Sequence, residues 1–164
     1  MKIIRANKND IPVIRELAEK SWKENYAEIL SPEQISYMLG LMYSENALAK
    51  DFKNPNYQYY LISNAENNLI GFMGIEMEFE PSVIKLHRIY LLKQEKRKGA
   101  GKETLDFLKT LAKQSSATRI ILNVNRNNPA KKFYESQGFR VYKEGVFDIG
   151  NGFLMDDYLM EFQL

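Results

Sequence analysis

The residues best suited to chemistry stand between positions 85 and 139. Lys96-Arg97-Lys98-Gly99-Ala100-Gly101-Lys102 sets two glycines among four cations, with Lys93 as a further cation nearby. Glycine lets a backbone turn tightly and approach a ligand. A helix that starts at such a loop points unpaired N–H groups and the positive end of its dipole toward it. The chemistry implied is the cradling of a phosphate or diphosphate. Two familiar cradles fail on spacing. A dinucleotide fingerprint needs a third glycine where Thr104 stands. A P-loop needs glycine at Lys96 and Ser or Thr at Glu103.

Other reactive groups are few. The chain has no cysteine and one histidine, His87. Disulfides, iron–sulfur clusters and thiol nucleophiles are thereby excluded. A structural zinc site lacks its ligands, and no D-x-D pair invites magnesium, so no metal is expected. A serine triad would have to use His87, and no G-x-S-x-G accompanies it.

Net charge is +2 over 164 residues, but it is unevenly spread. Residues 85–102 carry seven Lys and Arg against the single acid Glu95. From Glu144 onward stand five acids (with Asp148, Asp156, Asp157 and Glu161) and no Lys or Arg. The basic stretch suits an anionic ligand and the acidic one a cation. Nucleic acid is not an expected partner, because no second basic element supports the first. A membrane is not expected either. The longest apolar run, Leu69 to Ile75, is far below the ~20 residues that span a bilayer. The start, MKIIRANKND, lacks the apolar stretch of a signal peptide, so a cytoplasmic location is expected.

The elements that must position these groups can be read from spacing. Lys2 to Ala6 reads as a strand. Asp10 caps a helix carrying Ile14, Leu17, Ala18 and Trp22. Ser31 caps a second helix ending near Leu41, with Pro32 first and Gln34 bonding back in a capping box. A short helix covers Glu45 to Phe52. Strands Tyr57–Ser63, Leu69–Phe79 and Val83–Leu92 follow one another through tight turns and are therefore antiparallel. A helix from about Lys102 to Lys113 follows the glycine loop, then a buried strand from Arg119 to Val124. Asn128 caps a helix with Pro129 first and Gly138 as its stop. Phe139–Asp148 and Phe153–Phe162 form a hairpin around Gly150-Asn151-Gly152. The expected fold is a single α+β domain over residues 1–164, with a mixed, mostly antiparallel seven-stranded sheet and about four helices.

Two motifs in this order resemble the GNAT superfamily of acyl-CoA N-acyltransferases. The first is Lys96-Arg97-Lys98-Gly99-Ala100-Gly101, where the family has Arg or Gln, two residues, Gly, any residue, then Gly or Ala. Lys96 departs from that pattern and puts one side-chain contact in doubt. The second runs from Asn127 through Ala130, Phe133 and Tyr134 to Gly138-Phe139 and matches N-x-x-A-x-x-F-Y-x-x-x-G-F at every named position. The hairpin Ile149–Phe153 with Met155-Asp156-Asp157-Tyr158, and the stretch from Trp22 and Tyr26 to Ile35, are similar to PaiA-like spermidine/spermine acetyltransferases.

The resemblance implies a sheet splayed between its central strands, with acetyl-CoA as co-substrate. Pantetheine would pair with the backbone of Ile89, Tyr90 and Leu91 as an added strand. The pyrophosphate would sit on amides of the loop formed by Lys96, Arg97, Lys98, Gly99, Ala100, Gly101 and Lys102. Asn127 would bond the pantetheine arm, and Lys131 would lie near the phosphoadenosine. Tyr134 would be the general acid for the leaving thiolate. Where relatives often carry Glu, this chain has Lys85. His87 lies two residues on, on the same strand face by parity, and its usual pKa near ~6.5 suits a base. A bulge would spoil that parity, and Glu76 and Glu78 are the competing bases. Without cysteine, direct transfer in a ternary complex is the natural route.

The acceptor is expected to be a small-molecule amine. A polyamine such as spermidine is favoured by the PaiA-like hairpin and by the acids after Glu144, with Asp148, Asp156 or Asp157 pairing with a distal ammonium. An amino acid, an antibiotic amine and a protein N-terminus remain alternatives, as does a non-catalytic acyl-CoA-binding module. Dimers are common among relatives, so a homodimer is one assembly the resemblance implies.

Overall fold

A computed structural model of the protein describes residues 1–164. The elements in chain order are β1 (Lys2–Arg5), α1 (Ile11–Tyr26), α2 (Pro32–Tyr43), α3 (Glu45–Lys53), β2 (Tyr57–Ser63), β3 (Leu69–Glu80), β4 (Val83–Leu91), α4 (Ala100–Gln114), β5 (Arg119–Asn125), α5 (Ala130–Ser136), β6 (Arg140–Gly150) and β7 (Phe153–Gln163). The seven strands form one sheet in the order β1-β2-β3-β4-β5-β7-β6. Only β4 and β5 run parallel; every other neighbouring pair is antiparallel. The expected mixed sheet is therefore present, and the helices number five when the short α3 is counted.

Strand alternation divides the apolar side chains between two cores. Ile84 and Leu86 of β4, Ile120 and Leu122 of β5, and Met160 of β7 meet Leu105 and Leu108 of α4 on one face. Tyr59 and Phe72 face the opposite way, under Ile14, Trp22 and Leu48 of α1 and α3. Leu105 is fully buried, a position where truncation to Ala costs about 2–5 kcal/mol.

Two irregularities in β4 create the site. First, β4 and β5 pair only over Val83–Leu86 and Arg119–Leu122. Ile89, Tyr90 and Leu91 pair with β3 alone, so their other edge borders the expected splay. Second, Ile75 pairs with Leu86 while Gly74 pairs with Arg88, which leaves His87 as the extra residue of a β-bulge. The bulge resets the alternation. Leu86 belongs to the α4 side. His87 stacks on Tyr57 and Arg88 lies over Tyr43, both on the opposite side. Tyr90 packs on that side too, against Trp22. The bulge falls after His87, so Lys85 and His87 keep their shared face, and both contact Phe79.

Three local readings need correction. Asp10 makes no side-chain cap on α1; its carboxylate accepts the Asn7 N–H at 2.8 Å in a capping box around the preceding 3₁₀ turn. Ser31 does cap α2, but Gln34 turns away and donates to the carbonyl of Leu154. A contact with the β6–β7 hairpin wins over the local back-bond. Helix α4 begins at Ala100, two residues earlier than spacing suggested, because Gly99 takes the left-handed conformation (φ 88°) that starts it.

Candidate active site

The gap between β4 and β5 opens into a cleft of about 590 Å³. It runs from Gly99 and Gly101 at the start of α4, along Ile89 and Leu91, to Tyr134 and His87. At the loop end, Arg97 (φ 65°) and Gly99 (φ 88°) are both left-handed. No side chain caps α4, so its first amides are free donors at the positive end of the helix dipole. A Cβ on Gly101 would lie 3.0 Å from the Phe133 ring, so glycine lets α4 approach α5. Burial and the neighbouring Lys93 push the Lys96 ammonium below its ordinary pKa. Free amides, a left-handed turn and cations at Lys96 and Arg97 fit the diphosphate of a coenzyme A molecule.

The far end holds the groups suited to proton transfer. Tyr134 is buried, packs edge-on against Phe139 at 5.8 Å, and lines the cleft. Burial, reinforced by Tyr26, raises its pKa well above 10, so the phenol keeps its proton at neutral pH. His87 Nε2 lies 2.8 Å from Glu76 Oε2, and Asn54 Nδ2 donates to the other Glu76 oxygen at 3.4 Å. Burial pushes the His87 pKa below its usual value. The Glu76 bond opposes that, and Lys85 and Arg88 add to it. The lowered pKa favours the neutral ring, in which the contact with Glu76 is a hydrogen bond rather than an ion pair. The neutral ring donates from Nε2 and keeps Nδ1 as its basic atom. Glu76 is thus tied to His87, while Glu78 is exposed and accepts the Ser82 N–H at the hairpin end.

The cleft brings together His87, Ile89, Tyr90, Leu91, Lys96, Arg97, Gly99, Gly101, Lys102 and Tyr134. Four of the expected cofactor-binding residues do not line it. Lys98 pairs with Glu95, and Ala100 is buried in the first turn of α4. Asn127 offers its backbone N–H to Asn125 Oδ1. Lys131 pairs with Glu135 and lies over the Tyr158 ring. Asn128 lines the cleft in place of Asn127, with its amide donating to Tyr26 Oη at 3.3 Å. Asn25, Tyr26, Arg88 and Asn123 also line it, and the sequence assigns none of them a role in the site. Tyr26 stands four residues after Trp22 and stacks on it at 4.4 Å, a spacing that reads as ordinary helix core. A second depression of about 740 Å³ lies between α1 and α2 and contains none of the motif residues.

No group of three His, Asp or Glu converges in metal-binding geometry. No helix is long and apolar enough to cross a membrane. The acids after Glu144 have mostly found partners. Asp156 and Glu144 both pair with Arg126, Glu161 pairs with Arg119 and Arg140, and Asp148 accepts the Gly150 N–H.

The acetyltransferase (GNAT) family model matches residues 12–139. An uncharacterized N-acetyltransferase of Lactobacillus delbrueckii subsp. lactis is 24% identical over 158 residues, covering 92% of this chain and 91% of its own. The spermidine N(1)-acetyltransferase of Thermoplasma acidophilum is 29% identical over 145 residues, covering 86% and 89%. The crystal structure of the PaiA N-acetyltransferase from Thermoplasma acidophilum in complex with coenzyme A aligns with a TM-score of 0.82 at 26% identity, over 99% of this chain and 98% of that one.

Proposed function

The chain belongs to the acetyltransferase (GNAT) family, and we propose that it acetylates a polyamine by direct transfer within a ternary complex. It is an acetyl-CoA-dependent N-acetyltransferase. The observation that carries the finer reading is the continuity of one cleft, from free amides at the start of α4 to Tyr134 and His87.

In this reading the amides from Arg97 to Lys102 hold the diphosphate, and the free edge of Ile89–Leu91 aligns the pantetheine arm. Acetyl-CoA supplies a thioester-activated acetyl group. His87, neutral and fixed by Glu76, takes the proton of the incoming ammonium at Nδ1, directly or through water. Tyr134 gives its proton to the departing sulfur. A backbone N–H in the splay polarises the reacting carbonyl. The absence of cysteine supports attack on the thioester by the amine itself.

The polyamine acceptor rests on the name of the Thermoplasma spermidine acetyltransferase, at 29% identity, and on the acidic C-terminal segment. An amine panel incubated with acetyl-CoA, with thiol release as the readout, tests it. Spermidine is expected to turn over faster than amino acids, aminoglycosides and N-terminal peptides. Preference for any of those would replace the polyamine as acceptor.

A further inference from the structure

Asp157 is the buried acid of the C-terminal segment that the fold leaves without a positive partner. It sits on β7 opposite Asn125 of β5 and is 7% exposed. Its Oδ2 accepts only a long 3.4 Å bond from Asn123, and its Oδ1 is buried with no hydrogen-bond partner. No Lys or Arg stands within ion-pair distance of it, although Arg126 takes both Asp156 and Glu144 and two arginines take Glu161. A buried carboxylate lacking a cation is costly. Burial, with adjacent Asp156, raises its pKa, while Asn123 and the more distant Lys85 oppose that.

Its position makes the vacancy useful. Alternation along β7 sends Tyr158 and Met160 toward the α4–α5 core. Asp157 therefore faces the other side, shared with Lys85, His87 and Tyr26. Asn123, its one partner, is exposed and lines the same cleft as Tyr134. The order β4-β5-β7 puts Asp157 two strands from His87 and two residues further along, about 12 Å before the splay is added. A linear polyamine reaches across such a span with one amine at each end.

We infer that Asp157, reached by displacing the Asn123 amide, binds the non-reacting ammonium of a polycationic acceptor whose reacting amine lies at His87. The inference rests on the proposed acetyltransferase reading and selects one carboxylate within it. Binding exchanges a long bond from a neutral amide for a charge-assisted one, the stronger kind. Asp156, its chain neighbour, has no such role because Arg126 already occupies it.

The test measures steady-state acetylation of spermidine and of a monoamine of equal length, in wild type and in Asp157→Asn. The expected result is a KM for spermidine raised by roughly tenfold or more, with the KM for the monoamine unchanged. As a check on folding, the variant without ligand should melt no lower than wild type, because an unpaired buried charge has been removed. With coenzyme A present, spermidine should raise the melting temperature of wild type more than that of the variant. Equal loss with both amines, or no loss with either, overturns the role of Asp157. A wild type that handles the two amines alike overturns it together with the polyamine acceptor and leaves the transferase standing. No thiol release with any amine would remove the catalytic reading on which the inference rests.

Discussion

At the proposed cofactor end of the cleft the protein presents mainly backbone groups. Two left-handed residues, an uncapped helix start and the free edge of β4 offer N–H and C=O groups in a fixed arrangement. At the proposed acceptor end it presents side chains from separate elements. His87 comes from β4, Glu76 from β3, Asn54 from the end of α3, Tyr134 from α5 and Asp157 from β7. Backbone geometry tolerates changes in side chains provided the glycines and the splay are kept. A constellation drawn from five elements depends on each residue, so acceptor preference can diverge between relatives that share the cofactor end.

The largest effect expected from breaking this contrast is on chemistry. Tyr134→Phe should lower kcat by roughly 10²-fold or more, the scale of general acid–base catalysis, while leaving acetyl-CoA affinity nearly unchanged because the ring stays. Steady-state kinetics, with chemistry established as rate-limiting, check this. A kcat within about twofold of wild type would remove the general-acid role.

Next comes the backbone end. A ligand at 100 times its Kd stabilises the folded state by about 2.7 kcal/mol. That thermal shift with acetyl-CoA should vanish in the double variant Gly99→Val, Gly101→Val. Valine at Gly99 disfavours the left-handed turn (φ 88°), and at Gly101 its Cβ presses on Phe133 at 3.0 Å. A shift of wild-type size in the folded double variant would take the loop out of the site.

The His87–Glu76 pair should show itself in pH dependence. His87 has a depressed pKa, so kcat/KM should stay flat at neutral pH and fall only below the ordinary histidine range. Glu76 favours the protonated ring, so Glu76→Gln should move that acid limb to still lower pH. The stability consequence has the same sign. The folded state binds this proton less readily than the unfolded chain, so His87 makes stability fall as pH drops through about 6.5. A limb that stays in place in Glu76→Gln would separate Glu76 from the base.

The smallest effect should come from Asp156→Asn. The pair it loses with Arg126 is solvent-exposed, so the melting temperature should barely change. The KM for spermidine should stay within roughly twofold. A loss as large as that expected for Asp157→Asn would erase the distinction between the two neighbouring acids.

What could be read from the sequence follows the same division. The glycine loop, the Asn127–Phe139 motif and nearly every strand were legible, because turn chemistry and strand alternation are local. Tyr57–Ser63 was bounded as found. The bulge was not legible: it arises from the register between Gly74–Ile75 and Leu86–Arg88, which no short window contains. The pairing of His87 with Glu76 depends on that register, so the two read as rivals when they are partners. Asp156 and Asp157 look alike in sequence. Only the neighbours that β5 and the turn after it supply, Arg126 for one and Asn123 for the other, tell them apart. Gln34 shows the reverse error, a local capping rule overridden by a hairpin 120 residues away.

Initial rates measured while acetyl-CoA and spermidine are both varied test the central claim most directly. Direct transfer at the splay predicts that thiol is released and that double-reciprocal lines intersect, as they do when both substrates occupy the enzyme together. Parallel lines, or no thiol released with spermidine at any concentration, would contradict it.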